Sequence, residues 1–130
     1  MIYTTYLSNL KNLPEENSVK FLITRWKPRN TIDVKKYNLE WRPNLAPTEL
    51  TLAKYKDESI TWSEYRQLFI DESFENQLFI DGLQEAMNYN DEGLDVFLIC
   101  YEKDDSICHR SILQEIFEIN GYKCKEYRKD

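Results

Sequence analysis

The segment Leu94-Asp95-Val96-Phe97-Leu98-Ile99-Cys100-Tyr101 constrains the fold more than any other part of the chain. It is nearly unbroken apolar, and its residue types suit an extended backbone. That is the signature of a strand covered on both faces, which in α/β proteins means an interior strand of a parallel sheet. Five polar or charged residues follow, Glu102 to Ser106, and then Ile107, Ile112, Leu113, Ile116 and Phe117 recur at helical spacing until Asn120-Gly121. This spacing predicts a helix that begins near Ser106 and is stopped by the glycine. Tyr122 to Tyr127 alternates in period two, as a half-exposed edge strand does, so the last third of the chain reads as a βαβ unit.

The same reading extends toward the N-terminus. Ile2 to Leu7 and Val19 to Trp26 are strand candidates, joined as a second βαβ unit or a hairpin. Thr61-Trp62-Ser63-Glu64 has the pattern of a capping box, which predicts a helix start there. An apolar stripe then runs through Tyr65, Leu68, Phe69, Leu78, Phe79, Leu83, Ala86 and Met87 to Asn90-Asp91-Glu92-Gly93, with a break near Ser73 to Asn76. The stretch from Lys27 to Pro47 holds three of the four prolines and no period, and reads as a long irregular loop. With 130 residues, 42% of them apolar, the chain matches one domain over residues 1–130 with a core of its own. The expected architecture is a small three-layer α/β fold, with a mainly parallel sheet and helices on both faces.

Charge narrows the partners. Seventeen Lys and Arg stand against 23 Asp and Glu, a formal net charge of −6, so phosphate backbones are repelled and nonspecific nucleic-acid binding is disfavoured. No uncharged run approaches the ~18 residues of a membrane span, and Met1 to Tyr6 lacks the pattern of an export leader. Three cysteines, Cys100, Cys108 and Cys124, fit no disulfide framework, and free thiols point to the cytoplasm.

The residues with chemical potential gather at one predicted place. Cys108-His109-Arg110 falls at the start of the helix after the central strand, where parallel sheets place ligands. Free N–H groups at a helix start attract anions, Arg110 adds a bidentate donor, and the same field favours a thiolate at Cys108. His109 is the only histidine and the natural acid/base, with Cys108 or Glu102 assisting. Its alternative role is structural, a buried imidazole holding a loop carbonyl. Arg25-Trp26-Lys27-Pro28-Arg29 ends the second strand, and Trp41-Arg42 lies beyond it. Guanidinium groups beside planar rings suit a nucleotide-like or phosphate ligand, so Arg25, Trp26, Arg29, Trp41 and Arg110 are the ligand-binding candidates. The alternative is that Trp26 and Trp41 pin the long loop to the core.

Cys100 and Glu102 alternate to one side of the strand end, and together with Cys108 and His109 they suggest a metal site. The spacing lacks the close cysteine pairs of a zinc site, so no metal and no cofactor is expected. Phosphate-cradling and dinucleotide glycine motifs are absent from a chain with three glycines, as are the Cys-dependent phosphatase spacing and the serine elbow.

Taken in order, these segments resemble the domain of unknown function 488 (DUF488) family, especially its YeaO-like branch. Leu98-Ile99-Cys100-Tyr101-Glu102-Lys103 followed by Cys108-His109-Arg110 is similar to that family's strand and Cys-His-Arg signature. Arg25-Trp26-Lys27-Pro28-Arg29, Trp41, Leu45-Ala46-Pro47-Thr48 and Trp62 to Phe69 resemble its remaining motifs. Two departures stand out: no proline precedes Cys-His-Arg, and Lys27 separates Trp26 from Pro28. The resemblance implies a small parallel α/β fold with a pocket lined by these motifs, and no general reaction. Three functions therefore stay open: an enzyme acting on a small anionic molecule, a binder that sequesters or senses one, and a protein-interaction module.

Overall fold

The computed structural model describes residues 1–27, 31–101 and 108–128. Five strands form one sheet: β1 (Ile2–Tyr6), β2 (Ser18–Leu22), β3 (Glu40–Trp41), β4 (Asp95–Cys100) and β5 (Cys124–Glu126). Their order is β3-β2-β4-β1-β5, and every neighbouring pair is parallel. The central position belongs to β4, the strand singled out by its two-sided apolar pattern. Val96, Leu98 and Cys100 point to one face and Phe97 and Ile99 to the other, and all five are buried.

Two unequal layers cover the sheet. On the face of Val96 and Leu98 lie three helices, α3 (Trp62–Phe74), α4 (Gln77–Asp91) and α5 (Arg110–Ile119), whose Phe69, Phe79, Leu83, Leu113 and Phe117 complete the main core. The opposite face carries a smaller cluster. Leu10 from the 3-10 turn at Leu7–Asn12 and Leu13 just after it, Val34 of α1 (Thr31–Lys36) and Tyr37 just beyond it, and Tyr127 pack there on Leu22, Phe97 and Ile99. The molecule is therefore the small three-layer α/β fold that the strand pattern implies, with its sheet parallel throughout.

Local signals set the helix ends. Thr61 accepts from the Glu64 N–H while the Glu64 carboxylate accepts from the Thr61 N–H, a complete capping box at the start of α3. The apolar stripe breaks between Phe74 and Gln77, where Asn76 caps α4. Gly93 and Gly121 follow α4 and α5 at φ +91° and +86°, and in each case the glycine N–H and the next N–H return to carbonyls of the last turn. This closure needs a left-handed residue, which glycine provides without strain.

Four parts of the expected layout change. The Lys27 to Pro47 stretch is no uniform loop: its described part holds α1, the edge strand β3 and a 3-10 turn at Pro43–Leu45. Elements this short show no period in sequence, and they form because Val34, Tyr37 and Leu39 have a sheet face to cover. β1 and β2 are not a hairpin or adjacent strands, since β4 inserts between them. A helix at Glu49–Lys56, α2, was also unforeseen; only Thr51 in it is buried, so no apolar stripe marks it. At the C-terminal unit, regular helix begins at Arg110 rather than near Ser106; residues 102–107 lie outside the described segments.

Candidate functional site

Parallel pairing brings the ends of β2 and β4 together, with Leu22 opposite Ile99 and the Ile23 N–H donating to the Ile99 carbonyl at 2.9 Å. From here Thr24, Arg25 and Trp26 leave one strand and Cys100 ends the other. The start of α5 returns over the same point, and a cavity of about 270 Å³ opens between them. Arg25, Trp26, Cys100, Cys108 and His109 line it, joined by Tyr55 and Lys56 of α2 and Tyr65 of α3.

The floor is a buried cluster of three side chains. Cys100, Cys108 and His109 are each less than 10% exposed. The His109 Nε2 lies 2.7 Å from the Ile23 carbonyl oxygen. A carbonyl only accepts, so Nε2 carries the hydrogen and, in the neutral ring, Nδ1 is left with its lone pair. The Cys108 Sγ is 3.8 Å from Nδ1, and the Cys100 Sγ is 3.9 Å from Nδ1 and 3.8 Å from Nε2. The Phe69 ring meets the imidazole edge to face at 5.7 Å and closes the cluster from the helix side. The structural role weighed for His109 is thus present: it ties the start of α5 to the end of β2.

The two thiols are not equivalent. Burial pushes the Cys100 thiol well above the ordinary range, and its neighbour Cys108 pushes it further. Burial acts the same way on Cys108, but the contact with Cys100, the imidazole and the Arg110 backbone N–H outweigh it and hold that thiol well below the ordinary value. Tyr65, buried beside both sulfurs, has its phenol pushed up, chiefly by burial.

The predicted ligand residues divide. Arg25 and Trp26 line the cavity, Trp26 as an exposed wall. The Arg25 guanidinium is also a clamp: Nε donates to the Pro47 carbonyl at 2.7 Å, and Nη2 to those of Pro43 and Ala46 at 2.9 and 3.1 Å. Trp41 does not line the cavity; it packs on the smaller cluster across the sheet and donates its Nε1–H to the Thr24 carbonyl, the pinning role. Arg110 does not line it either. Its side chain is 0% exposed and lies in a two-pronged pair with Glu126 of β5, at 3.0 Å from Nε to Oε1 and 2.9 Å from Nη2 to Oε2. Glu102 and Arg29 lie outside the described residues.

Sequence reasoning missed Lys56, Tyr55 and the site role of Tyr65. Lys56 and Tyr55 come from the unforeseen α2, and Tyr65 sits in the apolar stripe of α3, where only its hydroxyl distinguishes it from core. It also missed Glu126 as the partner of Arg110.

An all-parallel sheet with a buried Cys-Cys-His cluster under a cavity at its carboxyl edge defines a small α/β protein with a candidate site at that edge. The chain belongs to the DUF488 family: the DUF488-N3a model, described as the active DUF488-N3 subclade, matches residues 2–121. No curated protein and no solved structure matches it. Among the described residues no helix is long and apolar enough to cross a membrane.

Proposed function

We propose that this DUF488 protein binds a small anionic molecule, nucleotide-like or phosphate-bearing, in the cavity over Cys108 and His109. One observation carries the reading. The chain has 23 acidic residues, yet among the described residues lining the cavity none is acidic, while Arg25 and Lys56 are both there. The described lining thus carries positive charge in a chain whose net charge is −6, and a cavity of one sign concentrates ligands of the other. Trp26, Tyr55 and Tyr101 supply flat walls, which suits a ring-bearing anion. The start of α5 adds N–H groups of the same polarity.

Any chemistry on the bound molecule takes place over Cys108 and His109, because they form the floor. The family description as an active subclade favours turnover over simple sequestration. The test is thermal shift and calorimetry of the full chain against inorganic phosphate, pyrophosphate, nucleoside monophosphates and sugar phosphates. One of these classes should raise the melting temperature, and Lys56→Glu should weaken its binding by roughly tenfold, ~1.4 kcal/mol. Lys56 is exposed, so the unliganded melting temperature should hold. No shift with any of the panel, or a shift indifferent to Lys56→Glu, removes the reading. Assay of the bound class for a product then separates enzyme from binder.

A further inference from the structure

We propose that Cys100, Cys108 and His109 form a binding site for a soft divalent metal ion of the Zn(II) type, on the floor of the cavity. Spacing along the chain disfavours a zinc site, because the two cysteines are separated by seven residues and no close pair exists. A metal reads distance in space, however. The end of β4 and the start of α5 bring the three donors together, with one ligand atom from each within 4.8 Å of the others.

Three features fit a metal rather than a chance cluster. The first is distance: with Zn–S near ~2.3 Å and Zn–N near ~2.0–2.1 Å, tetrahedral angles put donor atoms about 3.6–3.8 Å apart. The sulfur-to-Nδ1 distances of 3.8 and 3.9 Å exceed that by a few tenths of an ångström, and all three donors lie within 4.8 Å of one another; the Cys100 sulfur, now as near Nε2 as Nδ1, has to swing to the Nδ1 side on binding. The second is the histidine's orientation. Metal-bound imidazoles are fixed by a hydrogen bond from the other ring nitrogen, and the Nε2–H on the Ile23 carbonyl is such an anchor, turning Nδ1 toward the Cys108 sulfur. The third is donor softness, since two thiolates and an imidazole select Zn(II)-like ions over Mg(II) or Ca(II).

On binding, each thiol gives up its proton to solvent, the imidazole coordinates through the Nδ1 lone pair, and the Nε2–H stays on its carbonyl. Nothing is oxidised or reduced. Three protein donors on the cavity floor would leave a fourth position for water or another ligand, the pattern of reactive rather than structural zinc. This inference does not depend on the anion reading: a metal can be held with no anion bound, and the reverse.

Cobalt(II) and zinc(II) serve as probes. Reduced full-length protein, stripped of metal and titrated with Co(II), should take up one ion per chain and develop intense thiolate-to-cobalt charge-transfer absorption, discharged by one equivalent of Zn(II). Cys100→Ser or Cys108→Ser should abolish the charge-transfer band or weaken it severalfold, His109→Gln should lower affinity at least tenfold, and Cys124→Ser should change nothing. Circular dichroism of each variant shows whether it folds. For any variant that does not, the wild-type count of thiols protected by Zn(II) stands in, with two of three expected. No stoichiometric uptake by folded wild type, or uptake without protection of two thiols, overturns the site. Phosphate-class thermal shifts on metal-free protein report the anion reading separately.

Discussion

Arg110 and Glu126 form a two-pronged ion pair inside the protein, joining the first residue of α5 to the edge strand β5, with the arginine side chain 0% exposed and the glutamate 8%. The Thr4 hydroxyl donates to the same carboxylate at 2.7 Å, and the Tyr6 ring lies against the guanidinium. Removing one member strands a buried charge, so Arg110→Ala should cost about 3–5 kcal/mol of stability in urea denaturation. Arg110→Met combined with Glu126→Leu should recover much of that loss, since neither member of this pair is then left without the other. If Arg110→Ala instead keeps its stability and loses only anion binding, Arg110 is a ligand group and the pair is incidental.

The capping box at Thr61 gives a smaller and more local prediction. Thr61→Ala leaves the Glu64 N–H without its side-chain acceptor at the exposed start of α3. A loss of about 0.5–2 kcal/mol is expected, with the sheet unaffected. Thr61→Ser should retain most of it. Chemical denaturation of the three proteins checks the order, and equal stability of Thr61→Ala and wild type would mean the box contributes nothing.

What could be read in the sequence follows from how local the determinants are. Val96 to Cys100 announces a two-sided strand because each residue's burial is set by its own type. The Thr61–Glu64 cap and the Gly93 and Gly121 stops work within a few residues, so the helix limits they govern are legible too. The α1, β3 and α2 elements are not, because one or two turns carry no period and form only against a surface built elsewhere. The site divides along the same line. Arg25, Trp26, Cys108 and His109 stand where strand ends and a helix start put them, and the cavity unites them. The pairing of Arg110 is not legible, because its partner Glu126 comes from the far edge of the sheet, and no local pattern announces that contact.

Cys124, remote from the cavity lining, makes a prediction about alkaline pH. Burial, reinforced by Glu118 and Glu126, pushes its thiol up to about 12 from an ordinary 9.0. Below the ordinary value both folded and unfolded chains hold the proton, and the group adds no pH dependence. Between about 9 and 12 the unfolded chain releases the proton and the folded chain keeps it, so stability falls as pH rises. Cys124→Ala should therefore show a shallower loss of stability across that window than wild type. Parallel slopes would mean that the thiol titrates alike in both states.

Arg25 allows its clamp role to be separated from its charge. Its donors hold the Pro43, Ala46 and Pro47 carbonyls, the last of these residues on the cavity wall, at 2.7 to 3.1 Å. A lysine at the same place keeps the positive charge but offers a point donor in place of a rigid fork, so it cannot hold three carbonyls at once. Methionine keeps the bulk and loses both. If the clamp dominates, Arg25→Lys and Arg25→Met should each lose about 1.5–3 kcal/mol of stability, the range for hydrogen bonds from a charged group, and should weaken phosphate-class binding to similar degrees because the wall loosens. If charge dominates, Arg25→Lys should retain binding and Arg25→Met should not. The geometry favours the clamp, because three carbonyls already hold Nε and Nη2, and the Lys56 ammonium at the cavity is then the cation whose loss should act on affinity with the least effect on the fold. Paired unfolding and calorimetric titrations of wild type and the two variants decide it: retained affinity in Arg25→Lys alone would return Arg25 to the role of direct anion ligand.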